Sequence, residues 1–268
     1  MTEDSFSDGG RYLEPEAAIA RARQLSAAGA HVIDLGAASS KPDAKPVPPA
    51  VEIARMTPVL HALHRLGLGV SVDSFAPEVQ RWALGQDIAY LNDVRGFPEP
   101  ALYPALAASR VKLIVMHSLE GNGPATRARL PASQILDRIE AFFEARLAAL
   151  TAAGIARGRI ILDPGMGFFL GTEMEASLEV LRQIPKLKAR FGLPVLISVS
   201  RKSFVRKLAN TSLADAGAAS LAAELFALSR GAAMIRTHEP GPLMQAQAVW
   251  RALEPAPAAG KALGGADN

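Results

Sequence analysis

The chain has 268 residues, 49% of them hydrophobic and 21% charged, which is enough to bury one large core or two modest ones. The net charge of +3 is too small to argue for a nucleic-acid partner, and the absence of cysteine excludes disulfides and thiolate metal sites. No apolar run reaches the length of a membrane span, and the acidic, polar N-terminal sequence does not read as a signal peptide, so we expect a soluble cytoplasmic protein with no membrane partner.

Seven short apolar runs with polar ends predict seven β-strands. They cover residues 31–36, 69–75, 88–94, 111–118, 159–165, 193–200 and 232–239. Segments with helical spacing lie between them, most clearly at 14–29, 48–67 and 131–154, and each of these stops at a glycine. Because strands and helices alternate without a break in composition, we predict one parallel α/β domain over residues 1–254, followed by a flexible, Pro- and Gly-rich tail at 255–268.

The chain length and the number of strands suit a (β/α)₈ TIM barrel, for which about 250 residues are typical. An open, doubly wound sheet is the alternative that the pattern alone leaves open. A barrel needs one more strand than the seven predicted here. Since the chain begins in what looks like a strand-to-helix loop, we expect the first strand to lie before residue 1 and to be missing from this chain.

Polar side chains stand at the ends of nearly all predicted strands, where parallel α/β folds bind their ligands. Asp73, Asn92 and Asp163 offer acceptor oxygens and one amide donor, and they suit a flat heterocycle that bears N–H groups. Cationic and hydroxyl side chains at other strand ends suit phosphate or carboxylate, namely Ser39, Ser40, Lys41, Arg201, Lys202, Arg236 and His238. The expected ligand therefore combines an amidine-like ring edge with an anionic group.

A structural interpretation exists for each of these residues when it is considered alone. Asp73 could cap the next helix, and Asn92 with Asp93 could be turn residues. His117 could be a satisfied loop histidine, and the pair at 201–202 could be solvated. Their joint occurrence at so many strand ends favours a binding site.

Eight segments, in this order, resemble dihydropteroate synthase over residues 2–254. They are MTEDSFSDGG, DLGAASSKPDA, VSVDSF, YLNDVRGF, VMHS, ILDPGMGF, SRKSF and IRTHE. The resemblance implies a (β/α)₈ barrel and a transferase of folate biosynthesis. This enzyme would join 4-aminobenzoate to 6-hydroxymethyl-7,8-dihydropterin diphosphate, with Mg²⁺ assisting and pyrophosphate released. It also implies a homodimer.

The resemblance assigns the pterin-binding residues. Asp73, Asn92 and Asp163 would hold the amino-pyrimidinone edge of the pterin through charge-assisted hydrogen bonds, each worth about 1.5–3 kcal/mol. Met116 would pack near the ring. Lys202 would reach its carbonyl side.

The resemblance also assigns the residues around the reacting groups. Arg236 would cover the pterin face and, with His238 and Ser40, grip the diphosphate. Ser203 would bind the carboxylate of 4-aminobenzoate. We predict Lys202, Arg236 and His238 as the catalytic residues, which act by positioning and by stabilising the leaving charge, so that no side-chain nucleophile is required.

Three departures from the family pattern stand out. Residues 38–43 read ASSKPD in place of Glu-Ser-Thr-Arg-Pro-Gly, so that Lys41 replaces an arginine. Residues 167–171 read GFFLG, so that Phe169 and Leu170 stand where a glycine and a lysine are expected. The asparagine that helps to hold Mg²⁺ in the family precedes the TEDSF loop and has no counterpart here, which leaves the metal ligands unassigned.

These departures resemble the sulfonamide-insensitive form of the enzyme that mobile elements carry. Sulfonamides imitate 4-aminobenzoate but extend beyond its carboxylate. We expect Phe169, or Phe168 beside it, to fill the space that the extra substituent of the drug needs, since overpacking costs about 1–3 kcal/mol. In the alternative interpretation, the GFFLG segment only packs its loop onto the rim of the barrel.

Two other functions compete with this prediction. A methyltransferase barrel that binds methyl-folate would share the ring-binding acids but would need neither the SRKS carboxylate site nor the diphosphate grip. A pterin-binding barrel without catalysis would follow if the missing first strand prevents turnover.

Overall fold

The computed structural model describes residues 1, 10, 12–41, 44–120, 125 and 127–253. The DSFSDGG motif at 4–10 lies outside the described residues except for Gly10. The predicted tail at 255–268 lies outside them too, so the domain boundary at residue 254 stays a prediction.

Seven strands lie at the seven predicted positions. They are β1 (Val32–Gly36), β2 (Gly69–Asp73), β3 (Tyr90–Asp93), β4 (Lys112–Met116), β5 (Ile160–Asp163), β6 (Leu196–Ile197) and β7 (Met234–Ile235). Strands β1 to β5 form one sheet in chain order, β6 pairs with β7, and all pairs are parallel. A single bridge between Leu162 and Val195 joins the two parts.

Ten helices connect and flank these strands. They are α1 (Pro15–Ala27), α2 (Pro49–Arg65), α3 (Pro77–Leu84), α4 (Tyr103–Ala108), α5 (Ala132–Ala152), α6 (Met174–Arg182), α7 (Ile184–Phe191), α8 (Ser203–Leu208), α9 (Gly217–Ser229) and α10 (Pro240–Leu253). The three helices predicted most clearly, α1, α2 and α5, each end two residues before the expected glycine. These positions confirm the predicted C-terminal ends of the three helices.

The burial of the elements explains why these sequences form them. All four residues of β5 are buried, as expected for a strand covered on both faces. Helix α2 turns Met56, Leu60 and Leu63 into the core, as its helical spacing predicts, whereas Val51 at its start is exposed.

Strands β6 and β7 are shorter than the predicted runs at 193–200 and 232–239, with two residues each. After β6 the chain turns, and the Lys202 amide donates to the Val199 carbonyl at 3.1 Å. The Arg236 amide adds one more bond between the two strands, to the Ile197 carbonyl at 2.9 Å. The polar residues of these runs thus leave the sheet and turn to the cavity described below.

The last strand returns to the first. Arg236, directly after β7, places its Nε 2.9 Å from the Oδ2 of Asp34 on β1. The N-terminal nitrogen of Met1 donates to the Gly36 carbonyl at the end of β1, at 2.6 Å.

A doubly wound sheet would show a reversal of strand order, and no reversal occurs among the described strands. Parallel strands in chain order, connected by helices, are the arrangement of a (β/α)₈ barrel. This confirms the predicted fold class, whereas the open-sheet alternative is wrong. The described part of the chain holds seven strands, and a first strand before residue 1 stays a prediction.

The helices given above include none that is both long enough and apolar enough to cross a membrane.

Candidate functional site

A cavity of about 240 Å³ opens at the carboxyl ends of the strands. Ten of the eleven predicted site residues line it: Ser40, Asp73, Met116, Asp163, Phe168, Phe169, Lys202, Ser203, Arg236 and His238. The eleventh, Asn92, is buried directly beside it, because its Cα is the register partner of Asp73 on the neighbouring strand. Residues far apart in sequence therefore meet at one rim, as the strand-end argument predicts.

Asp73 ends β2 and faces other charged groups. Burial, and after it the nearby Asp34 carboxylate, raise the pKa of its carboxyl group to about 7. The Arg236 guanidinium and the Asn92 amide favour the charged form and oppose this shift of the pKa. Asp73 thus offers carboxylate oxygens that can accept hydrogen bonds from a ligand.

Asn92 lies on β3 and is fully buried, with 0% of its surface exposed. Its amide favours the charged form of Asp73, yet neither its side-chain oxygen nor its nitrogen makes a hydrogen bond of normal geometry to the residues that the structure describes. A buried amide costs free energy unless it is hydrogen-bonded. Asn92 therefore presents donor and acceptor capacity to a ligand.

Asp163 ends β5, and its two carboxylate oxygens differ. Oδ1 accepts a hydrogen bond from the Gly165 amide at 2.9 Å, which fixes the turn that follows the strand. Oδ2 is buried and has no hydrogen-bond partner within the described chain, with Arg236 Nη1 3.7 Å away. Burial raises the pKa of this carboxyl group, while Arg236 and Lys202 counteract the shift. One oxygen is structural and the other is available for a ligand.

Asp93, next to Asn92, has the structural role that was the alternative for both residues. Its carboxylate accepts hydrogen bonds from the Arg95 amide at 2.8 Å and the Phe97 amide at 2.9 Å. These two bonds close the turn after β3, where Phe97 has a φ of 59°. Asp93 is thus a turn residue, while Asn92 is buried beside the cavity next to Asp73.

Arg236 is surrounded by carboxylates. Burial alone would lower the pKa of its guanidinium, but Asp34, Asp73 and Asp163 raise it above its usual value, so the group stays charged. Asp34, which is not among the predicted site residues, forms the closest ion pair with Arg236. Its position within β1, two residues before the strand ends, gave no strand-end signal.

Lys202 stands directly before α8, where the chain enters the helix that begins with Ser203. Its Nζ lies 5.2 Å from the centre of the Phe169 ring, which forms a cation–π contact. Burial lowers the pKa of this lysine to about 8, although Asp163 and Asp73 favour its charged form. The ammonium group is therefore charged at neutral pH and points between an acid and an aromatic ring.

Hydrogen bonds to Ser200 fix His238, which follows β7. The Oγ of Ser200 lies 3.0 Å from Nδ1 of His238 and accepts from its backbone amide at 3.3 Å. Neighbouring Arg201 has a φ of 59° and forms an ion pair with Glu239 at 2.6 Å. The alternative of a solvated Arg201–Lys202 pair is wrong, because Arg201 is bound to Glu239 and both residues line the cavity.

His117 braces the loop that follows Asp163. Its Nδ1 lies 3.2 Å from the Pro164 carbonyl, and its ring meets Phe142 edge to face at 5.2 Å. Burial lowers the pKa of His117 to about 4, so the ring is neutral and Nδ1–H donates. Gly165 has a φ of +75°, and a Cβ there would lie 2.4 Å from the His117 carbonyl oxygen, so only glycine fits. The expected satisfied loop histidine is confirmed.

The GFFLG segment forms a 3₁₀ turn, Gly167–Leu170, at the edge of the cavity. Phe169 is 4% exposed and packs with Met116 and Val94, while half-buried Phe168 adjoins the same cluster. The Leu119 amide donates to the Phe169 carbonyl at 3.0 Å and ties the turn to the loop after β4. Phe169 thus both packs the rim and narrows the cavity.

A second, wider depression of about 460 Å³ lies at the opposite end of the barrel, beside the starts of β3 and β4. Asp87, Arg110 and Lys112 border it. It contains none of the predicted site residues, and ligands of parallel barrels bind at the carboxyl ends of the strands. The smaller cavity is the functional candidate.

The arrangement combines buried acceptors on one wall with cations on the other. Asp73, Asn92 and Asp163 can receive ring N–H groups, and Arg236 and Lys202 can stabilise negative charge beside them. Within the described ranges, no group of three His, Cys, Asp or Glu side chains could hold a metal ion. The site suits charge stabilisation by side chains.

Comparisons with known proteins agree with this geometry. Residues 1–238 match the protein family described as pterin binding enzyme. The chain is 59% identical over 254 residues to dihydropteroate synthase type-2 of Escherichia coli, a match that covers 95% of this chain and 93% of that protein.

Solved structures resemble the chain as well. Xanthomonas albilineans dihydropteroate synthase with 4-aminobenzoic acid has a TM-score of 0.83 at 33% identity, covering 94% of this chain and 89% of that one. Yersinia pestis dihydropteroate synthase, solved as a sulfonamide drug complex, has a TM-score of 0.85 at 31% identity, covering 94% and 90% of the two chains.

Proposed function

The chain belongs to the dihydropteroate synthases, transferases within the pterin-binding enzymes, and we propose how its cavity performs their reaction. It joins 4-aminobenzoate to 6-hydroxymethyl-7,8-dihydropterin diphosphate in folate biosynthesis and releases pyrophosphate. The observation that carries this assignment is the single rim on which buried acceptors face Arg236 and Lys202. A methyl-folate methyltransferase would not need the cationic wall.

The pterin ring binds to the acceptor wall. Asp73, Asn92 and Asp163 take the N–H groups of the amino-pyrimidinone edge, which satisfies the amide and the carboxylate oxygen that lack partners among the described residues. Lys202 donates to the carbonyl side of the ring, and Met116 packs against it. Oriented in this way, the ring directs its methylene diphosphate away from the acids.

The diphosphate binds to the cationic wall. Arg236 covers the pterin face, and together with His238 and Ser40 it holds the departing phosphates. When the C–O bond to the methylene breaks, the electron pair leaves with the diphosphate, and the guanidinium stabilises the added charge. The amine of 4-aminobenzoate then attacks the cation-like methylene and gives up a proton.

The second substrate enters beside Ser203 and Phe169. The Ser203 hydroxyl binds its carboxylate at the start of α8, and Lys202 adds positive charge next to it. Phe169 borders this subsite and limits how far a bound molecule can extend. This limit supports a sulfonamide-resistant enzyme, because the drug reaches beyond the carboxylate while the substrate does not.

The role of Mg²⁺ and the location of the enzyme stay predictions from the sequence. The described residues offer no three-ligand group for a metal, so we assign no step to Mg²⁺. Chelation with EDTA followed by addition of Mg²⁺ measures any dependence. The cytoplasmic location is tested by fractionation of cells that express the chain.

A homodimer is supported by the distribution of exposed apolar side chains. Five of the eight large apolar side chains exposed in the described chain lie on α9 and α10, namely Phe226, Met244, Val249, Trp250 and Leu253. Exposed apolar side chains concentrated on two neighbouring helices suit an interaction surface. A second copy of the chain, packed through the same helices, would cover it.

The decisive assay measures pyrophosphate released by the purified chain from the two substrates, with each substrate omitted in turn. We expect release only when both are present, and a loss of at least 100-fold in Arg236→Ala, which removes the charge opposite the leaving group. A chain that binds the pterin but releases no pyrophosphate with both substrates would instead be the non-catalytic barrel.

A further inference from the structure

Helix α9 carries a buried acid directly behind the cationic wall. Glu224 is 2% exposed, and its Oε1 makes no hydrogen bond to any described residue. The hydroxyl groups of Thr237 and Ser200 lie against its carboxyl group and favour its charged form. A glutamate is not needed to pack a helix against a barrel, so its burial calls for a role.

The neighbours of Glu224 are the residues that carry the anion site. Ser200 ends the β6 run and contacts the ring of His238, while Thr237 separates His238 from Arg236. One turn earlier on α9, the Ser220 hydroxyl accepts from the Arg201 amide at 2.9 Å. Helix α9 therefore holds both loops of the cationic wall through polar contacts.

The hydrogen-bond roles at Ser200 follow from the number of protons available. The Ser200 hydroxyl has one proton, and it accepts from the backbone amide of His238. If that proton is donated to Glu224, the oxygen of Ser200 also accepts from Nδ1–H of His238. Nε2 of the neutral ring then carries the lone pair, and a second proton taken up there makes the ring a cation.

We propose that Glu224 is a positioning residue, which acts through Ser200 to fix the tautomer of His238 and to favour its protonated ring toward the diphosphate. The relay runs from the Glu224 carboxylate to the Ser200 hydroxyl and from there to Nδ1 of His238. The benefit for diphosphate binding rests on the proposed function of His238. The contact between Ser200 and His238 is present without any ligand.

Other charged groups meet at this point and must be considered. Glu239 lies near Glu224 and is itself bound to Arg201. Burial, more than Glu239, raises the pKa of Glu224 to about 7.

The first test is NMR of the histidine ring nitrogens in the ligand-free protein, with the His238 signals identified by their absence in His238→Gln. In the wild type we expect the Nδ1–H tautomer at high pH. In Glu224→Gln, which keeps the shape of the side chain, we expect a substantial Nε2–H population and a titration midpoint at lower pH. Unchanged His238 signals in a folded Glu224→Gln variant would overturn the proposal.

Kinetics give the second readout. Glu224→Gln should raise KM for the pterin diphosphate about five- to tenfold, the size of one lost hydrogen bond to a charged group, and leave KM for 4-aminobenzoate within about twofold. In a Ser200→Ala background, the same substitution should have no further effect, because the relay is already broken. Equal changes in both KM values would indicate a general loss of structure and contradict the proposal.

Glu140→Gln is the matched control. Glu140 is also a buried glutamate on a barrel helix, but it pairs with Lys186 and Arg190 away from the cavity. The Glu140→Gln variant should leave the NMR signals of His238 and the KM values for both substrates unchanged. The proposed reaction and the proposed role of Glu224 can be tested independently. A wild-type protein without turnover would contradict the reaction, whereas the NMR signals of His238 test the role of Glu224 in the ligand-free protein.

Discussion

Arg236 and Asp34 join the last strand of the barrel to the first through an Nε–Oδ2 distance of 2.9 Å. The pair is half-buried, with about a quarter of each side chain exposed. While this contact holds, it restrains the side chain of Arg236 where it lines the cavity. Asp34 thus orients the guanidinium without needing to touch the substrate.

Asp34→Asn tests this orientation. We expect KM for the pterin diphosphate to rise about tenfold, since the charged half of the pair is lost. The pKa of Asp73 should fall as well, because the Asp34 carboxylate raises it. Steady-state kinetics measure the first effect. The exposed Arg182–Glu175 pair offers the control Glu175→Gln, which should change neither quantity.

Asp163→Asn separates ring binding from turn structure. We expect pterin affinity, measured by calorimetry, to fall about 10- to 100-fold, since a charge-assisted bond worth about 1.5–3 kcal/mol is lost. Asp93→Asn is the control, because the Asp93 carboxylate accepts hydrogen bonds from the backbone amides of its own turn and does not line the cavity. The Asp93→Asn variant should have a lower melting temperature but the same affinity for the pterin. Equal losses of affinity in both variants would argue against our assignment of the ring.

Phe169→Gly tests the sulfonamide proposal. Removing the ring should lower the inhibition constant of a sulfonamide at least about tenfold, since overpacking of 1–3 kcal/mol or more is relieved. Lys202 loses its cation–π partner, so some loss of kcat/KM is expected too. Leu170→Ala loosens the same turn without bordering the cavity, and it should leave inhibition unchanged. Unaltered inhibition in both Phe169→Gly and Phe168→Ala would exclude the loop as the cause.

Asp73→Asn should increase the stability of the folded protein at alkaline pH while it lowers the catalytic activity. The pKa of Asp73 is raised from 3.8 to about 7, so the folded state holds a proton that the unfolded chain releases between these values. The stability from this group is complete below about pH 4 and is lost as the pH rises through 7. At pH 8 the free energy of unfolding of the variant should exceed that of the wild type by up to about 4 kcal/mol, and at pH 4 the two should be equal. Urea denaturation at both pH values measures the difference.

Leu253→Glu tests the homodimer. A charge on the exposed face of α9 and α10 should convert a dimer to a monomer in sedimentation experiments, because a buried unpaired carboxylate opposes association. Leu66→Glu places the same charge on an apolar side chain that is exposed elsewhere, after α2. The Leu66→Glu variant should leave the molecular mass measured by sedimentation unchanged. A monomeric wild type at micromolar concentration would contradict the dimer.

The strand positions and most of the cavity could be predicted from sequence because their signals are local. Apolar runs that end in Asp73, Asn92 and Asp163 show where each strand stops. Parallel pairing then brings those ends together. The alternation of strands and helices, together with the positions of the strand ends, was sufficient to predict that these three residues lie at one site. The distances between them were not needed.

The residues that were missed depend on contacts across the barrel. Asp34 lies inside a strand, and only closure of the barrel brings it to Arg236. Glu224 looks like an ordinary helical glutamate until α9 packs behind Ser200. Asp93 is distinguished from Asn92 by the two backbone amides that bind its carboxylate within the turn. Such roles follow from tertiary geometry that a single sequence does not encode locally.

The spacing along one loop has a consequence for how this enzyme can change. Asp163 and Phe169 are six positions apart, and Gly165 between them tolerates no side chain because of the His117 carbonyl. The side chains at 168 and 169 can therefore change without moving the turn that fixes Asp163. Mutation can thus alter the border of the cavity and leave the acid at the end of β5 in place, although only six positions separate the two.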